Sequence, residues 1–204
     1  FELRLLPGRH YRFVVWADFV KNGVEPYYND ADLKNVTLTG THNAMNESRD
    51  AYTAVFNTAE DGDKQVFSSA STIKMDLKRP FAKLRVVTND INELYADLNN
   101  ATVAYTTPIY TTFNALEAVA GTPVCGVTKS VDFKNAAYQY AGEPTAEGKQ
   151  TLFADYIFGT ETGTVQFTLD VADDVAALPQ VAFNTSIPVE RNHLTTIYGP
   201  VLTD

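Results

Sequence analysis

The sequence predicts an all-β fold, with antiparallel sheets packed as β-sandwiches and one or two short helices. Three observations lead there. Apolar residues recur at every second position in run after run, the period of a strand with one face buried. Thr, Val, Tyr and Phe, the residues that half-buried strands favour, are abundant, with 11 Tyr and 12 Phe in 204 residues. Polar or Gly/Pro-bearing turns separate the runs at regular spacing, as in a sandwich. With 45% hydrophobic and 20% charged residues the balance is globular, and the length allows one large or two small domains.

The elements follow in order. In "FELRLL", Phe1, Leu3 and Leu5 share one face and Glu2 and Arg4 the other. Pro7-Gly8 supplies a turn, and in "HYRFVVWA" Tyr11, Phe13, Val15 and Ala17 alternate with His10, Arg12, Val14 and Trp16. Together these runs predict an antiparallel hairpin. "STIKMDL" places Ile73, Met75 and Leu77 inward, "FAKLRVVT" places Ala82, Leu84 and Val86 inward, and "TVQFTLDV" places Val165, Phe167, Leu169 and Val171 inward. Further strands are expected at 101–107, 127–133, 150–158, 180–189 and 194–198. The spacing of Ile91, Leu94, Tyr95 and Leu98 predicts a short helix over 91–98, and a helical turn is expected near 172–178. Polar loops are expected at 21–35 and 40–50, and turns at 59–64 and 141–149.

"STIKMDLKRPFAKLRVVTND" combines two alternating runs, a basic cluster and a proline. Pro80 lacks an N–H and holds Arg79 extended, and no Gly or Asn offers a tight hairpin between Leu77 and Phe81. The chain therefore runs on, bends, and enters a different sheet or domain. Lys74, Lys78, Arg79, Lys83 and Arg85 read as a solvated strand face that guards an edge.

Formal net charge is -9 and the pI near 4.8, which disfavours nucleic acid and anionic lipid as partners. No apolar run approaches the roughly 18 residues of a membrane-spanning helix. The chain opens inside a strand–turn–strand pattern and reads as trimmed or processed, so its lack of a signal peptide says little about location. Cys125, the lone cysteine, reads as a small apolar filler rather than a nucleophile. His10, His42 and His193 lie far apart and outside metal-ligand spacing. Asp30 and Asp32 begin like a calcium loop, but Asn35 stands at the sixth position and Thr41 at the twelfth. No nucleophile elbow, phosphate loop or dinucleotide fingerprint is present, and no carboxylate pair is favoured over another. No catalytic residue, metal site or cofactor is expected. Trp16, Tyr27, Tyr28, Tyr138 and Tyr140 are candidates for sugar stacking or protein docking. Burial of both faces of its strand is the favoured reading for Trp16. Tyr27 and Tyr28 follow Pro26 in a polar loop and are expected to be exposed.

The stretches "LLPGRHYRFVVWADF", "LKRPFAKLRVVTND" and "PVERNHLTTIYGPVLTD" resemble the fimbrillin-type surface proteins of Bacteroides and its relatives. The resemblance spans most of the chain. It implies two tandem transthyretin-like antiparallel β-sandwiches, an N-terminal one over 1–79 that is incomplete at its start and a C-terminal one over 80–204. It also implies a precursor exported as a lipoprotein to the outer membrane, trimmed by a protease, and polymerised by donation of a strand to a neighbour. Two departures stand out: no lipid-attachment cysteine is visible, and the chain stops soon after "TIYG". Pro80 makes Arg79 a poor cleavage site, and no maturation site is assigned.

The first expectation is thus a structural surface protein whose partners are fimbrial subunits or further copies of itself. Its assembly strands are expected at 1–6 and 194–202, through Phe1, Leu3, Leu5, Leu194, Thr196 and Tyr198. The second is a surface lipoprotein or tip adhesin that holds a glycan or host protein at loops, through Tyr27 and Tyr28. An enzyme ranks third.

Overall fold

Strand formation follows the alternation closely in the second half of the chain and departs from it in the first. The computed structural model describes residues 1–19, 27–39, 44–58, 70–91, 98–135, 149–173, 178 and 180–203. Ahead of residue 80 lie β1 (Arg12–Asp18), β2 (Tyr28–Asn29), β3 (Val36–Leu38), a 3-10 turn η1 (Glu47–Arg49) and β4 (Ala51–Asn57). After it come β5 (Phe81–Thr88), β6 (Leu98–Tyr105), β7 (Ile109–Tyr110), β8 (Thr112–Asn114), β9 (Val119–Ala120) and β10 (Pro123–Val124). β11 (Thr128–Asp132), β12 (Gln150–Phe158), β13 (Thr164–Asp173), β14 (Val181–Pro188) and β15 (Leu194–Gly199) complete the order.

The fold is all-β, with several antiparallel sheets. A five-stranded sheet runs β10-β7-β12-β5-β15, and a four-stranded sheet runs β11-β6-β13-β14. Leu84 and Val86 of β5 and Phe153 and Ile157 of β12 share one core with Val103, Phe167 and Leu169 of the four-stranded sheet. A second core, with Tyr28, Phe81, Phe113, Tyr156 and Phe158, covers the other side of the five-stranded sheet. β12 is consequently buried along nearly its whole length, which explains why "TLFADYIF" carries apolar residues in both phases. β1 and β4 form a two-stranded sheet, and β2-β3-β8-β9 a further one that draws strands from both sides of residue 79.

Several expectations are corrected. Residues 1–6 form no strand and no hairpin with β1. Instead β1 pairs with β4 over seven positions, from Arg12 opposite Asn57 to Asp18 opposite Ala51. Seven cross-strand pairs, with Phe13 opposite Phe56, outweigh the contacts a six-residue run could make. The Pro7-Gly8 turn survives, with Gly8 at φ 75°, and hydrogen bonds between Leu6 and the Tyr11 hydroxyl close it. The expected strand at 71–77 is not regular: an isolated bridge joins Lys78 to Thr53. Lys78 touches the β1–β4 sheet and the chain then enters β5 of another sheet, the bend expected at Pro80. β15 runs parallel to β5. It arrives from β14 in the facing sheet, so no hairpin imposes an antiparallel sense. Of the expected helices, Leu98 opens β6 and Ala172 and Asp173 close β13, while 92–97 and 174–177 lie outside the described residues.

Candidate functional site

The outer strand of the five-stranded sheet carries three of the expected assembly residues in one phase. Lys83 N–H donates to the His193 carbonyl (2.9 Å) and Asn89 N–H to the Gly199 carbonyl (3.2 Å). In a parallel ladder this commits the backbone groups of residues 193, 195, 197 and 199 to β5. Leu194, Thr196 and Tyr198 therefore present their N–H and C=O groups outward, along an edge with no neighbouring strand among the described residues. Leu194 is 49% exposed and Tyr198 53%, large values for apolar side chains on a strand. Thr196 Oγ1 accepts from the Arg85 guanidinium, and the Lys149 ammonium lies 5.1 Å from the centre of the Tyr198 ring. Ile197, in the other phase, packs on the core and fixes which phase faces out.

Phe1, Leu3 and Leu6 are exposed and Leu5 is half-buried, so residues 1–6 offer apolar side chains without a strand partner among the described residues. The segment is tied to the body at Leu6 through the Tyr11 hydroxyl.

The aromatic loop pair divides. Tyr28 is fully buried, which corrects its expected exposure. Its ring meets Trp16 at 5.4 Å, Phe81 at 5.6 Å and Phe158 at 6.1 Å, and its hydroxyl donates to the Arg49 carbonyl. Pairing with Leu38 makes Tyr28 the start of β2 and turns its ring into the second core. Tyr27 is half-buried and packs beside the same core. Trp16 packs there too, as the two-face reading of its strand expects. Tyr138 and Tyr140 lie outside the described residues. Asp32 takes the Lys34 N–H on its side chain and the Asn35 N–H on its carbonyl, an ordinary turn. Among the described residues no group of three His, Cys, Asp or Glu could hold a metal ion.

The basic stretch is more specific than a solvated face. Arg79 grips Asp50 with Nε and Nη2, both at 2.7 Å, and also reaches the Tyr52 hydroxyl. Lys83 Nζ lies 2.8 Å from both Glu47 carboxylate oxygens, one of which accepts from Tyr156. These pairs staple η1 to β5 and to the approach to it. Deeper, Arg49 Nη1 donates to Asp155 Oδ1 at 2.7 Å, with both side chains essentially buried. Asp155 also accepts from the Tyr105 hydroxyl (3.3 Å) and the Tyr156 N–H (2.9 Å). Burial lowers the Arg49 pKa, but Asp155 and Tyr28 reverse this and hold it above the usual value. Burial first, and then Asp155, pushes the Tyr105 hydroxyl well up. Burial pulls the nearby Lys129 ammonium down. The network is built to hold its charges in place.

β4 was not foreseen, although "AYTAVFN" alternates Ala51, Thr53 and Val55 against Tyr52, Ala54 and Phe56. Small and polar residues in both phases mask its period.

The model of one protein family, described only as a family of unknown function (DUF6562), matches residues 1–204. No curated protein matches the chain. Among solved structures it is similar to a protein from Bacteroides ovatus ATCC 8483, provisionally described as a cell adhesion protein, at 13% identity and a TM-score of 0.56. That match covers 96% of this chain and 64% of the other, so the chain spans less than two thirds of it. A second such protein, from Bacteroides eggerthii DSM 20697, matches at 12% identity over 94% of this chain and 69% of its own, with a TM-score of 0.37. At 13% identity the first likeness is one of fold.

Proposed function

The chain belongs to this family of unknown function, and from that premise we propose that it is a cell-surface protein of adhesion type, a fimbrillin-like subunit or accessory subunit assembling by β-strand exchange. The observation that carries the reading is the edge of β15, open among the described residues, where Leu194, Thr196 and Tyr198 turn their backbone groups outward on an apolar-sided strand. An added strand satisfies such an edge and covers its side chains in one step. Residues 1–6 have the composition of a donor, and all but Leu5 are exposed. The fold likeness to a Bacteroides cell-adhesion protein supports the surface role. The tandem transthyretin-like arrangement, a division at residues 79/80 and export as a lipoprotein belong to the same reading. Burial of Tyr28 weakens the alternative of a glycan or host protein held at that loop.

The test is expression on a Bacteroides surface, read by electron microscopy and by SDS-resistant ladders. Wild-type ladders are expected, lost on Thr196→Pro and on deletion of residues 1–6. Thr196 N–H is not used by β5, so the proline blocks the edge while leaving that ladder in place. Ladders that survive both changes, or a protein that stays monomeric on the surface, overturn the reading.

A further inference from the structure

A cleft of about 300 Å³ lies between β4 and the extended segment leading to β5, and Thr53, Val55, Lys74, Asp76, Lys78 and Arg191 are among the residues lining it. Thr53 N–H donates to the Lys78 carbonyl (2.8 Å) and Lys78 N–H to the Thr53 carbonyl (3.0 Å). Thr53 thus points its backbone groups away from β1, and Val55, two residues on, does the same. Beyond that one bridge the described residues of the segment make no ladder with β4. Among the described residues nothing takes the outward N–H and C=O of Val55. The cleft has a second unmet demand. Thr53 is 4% exposed, and its hydroxyl is buried without a hydrogen-bond partner among the described residues. Buried polar groups in this state are uncommon and mark places where a further group is expected.

The cleft also carries charge. Arg12, Arg49, Arg79, Lys83 and Arg191 are all engaged with carboxylates. Among the described residues Lys74 and Lys78 have no carboxylate partner, and Asp76 between them offsets only one of the two. Among the described lining residues this leaves an excess of positive charge, on a chain of net charge -9. Such complementarity selects partners more than it adds raw affinity.

We propose that this cleft is a peptide-binding site that takes an extended, acidic segment of another protein. The peptide main chain pairs with β4 at Val55, and a Glu or Asp side chain meets Lys74 and Lys78. The site uses a different edge from β15 and stands independently of the strand-exchange reading. Residues 1–6 of a second copy are a poorer fit, because Glu2 is balanced by Arg4.

The probe is a fluorescein-labelled peptide of about ten residues alternating Val and Glu, titrated with the full chain and read by fluorescence anisotropy. A Val/Gln peptide is the control. Saturable binding is expected, about fivefold weaker for the Val/Gln peptide and for the Lys74→Gln/Lys78→Gln pair. Val55→Pro removes the edge N–H and is expected to weaken binding about tenfold. If that variant loses its circular dichroism, a peptide N-methylated along its length interrogates the same edge on the unaltered protein and should bind as weakly. Thr196→Pro should leave peptide affinity unchanged. No saturable binding, equal affinity for both peptides, or affinity indifferent to the edge changes overturns the proposal.

Discussion

Two buried carboxylates illustrate how single residues set the stability of this protein. Asp155 sits opposite Arg49 with both side chains withdrawn from water, and its lone pairs are shared with Tyr105 and Tyr156. Removing one partner of such a pair strands the other charge in a poor solvent. Asp155→Ala is therefore expected to cost about 3–5 kcal/mol, measured by urea unfolding. Asp90 works differently. One of its oxygens accepts from Leu202 N–H (2.8 Å), Thr203 N–H (2.9 Å) and the Thr203 hydroxyl (2.9 Å), while Thr88 donates to the other. Burial pushes the Asp90 carboxyl up, but these donors outweigh it and hold it below the usual carboxylate range. A carboxylate with a depressed native pKa lends stability above its unfolded value of about 4 and loses it as pH falls through the native value. Asp90→Ala should thus lower the unfolding temperature at neutral pH and flatten its decline in acid. An unchanged acid limb would show that the latch on residues 201–203 carries no such linkage.

At the scale of elements, the aromatic layer between β1 and β12 joins the early strands to the sandwich. Phe158 meets Phe81 at 4.7 Å, Phe113 at 5.7 Å and Tyr28 at 6.1 Å. Phe158→Ala should cost about 3–5 kcal/mol by chemical denaturation, since the cavity opens among side chains from three other strands, β2, β5 and β8. Gly159, directly after β12, is a place where the backbone comes too close for a side chain. A Cβ there would stand 3.1 Å from Ala82 N and 3.2 Å from the Arg191 backbone. Backbone cannot swing aside as a side chain can, so Gly159→Ala should destabilise by about 1–3 kcal/mol. Thr196→Pro, in contrast, should leave the unfolding temperature nearly unchanged, because it interrupts only the outward phase of β15.

For the molecule as a whole, the five-stranded sheet is the shared wall of two cores. β8, from beyond residue 80, pairs with β3 from ahead of it, and Arg49 reaches across to Asp155. Thermal unfolding should accordingly show one calorimetric transition for the whole chain. A fragment of residues 80–204 should bind an apolar dye, because it lacks the partners that cover Phe81, Tyr156 and Phe158. Two well-separated transitions, or a fragment that unfolds as cooperatively as the full chain without dye binding, would contradict this.

The sequence by itself determined the all-β class and the strands whose alternation is clean. β5, β13 and β15 lie where "FAKLRVVT", "TVQFTLDV" and "LTTIY" place them, because a period of two is a local property that the pleat enforces, and β12 lies at "QTLFADYIF", a continuous apolar run buried on both faces. It also marked Leu194, Thr196 and Tyr198 as one phase of a strand. Only the tertiary structure decided which strands are neighbours. Whether residues 1–6 or β4 pair with β1 depends on the sum of cross-strand contacts between residues 33 to 45 positions apart, from Asp18–Ala51 to Arg12–Asn57, which no local pattern encodes. The same reason sends Tyr28 into the core. Its neighbours Pro26, Asn29 and Asp30 read as an exposed loop, but Trp16, Phe81 and Phe158 converge on its ring from distant strands. Edges, clefts and unpaired backbone groups are made by the absence of a neighbour, and that absence becomes defined once every other strand has been placed.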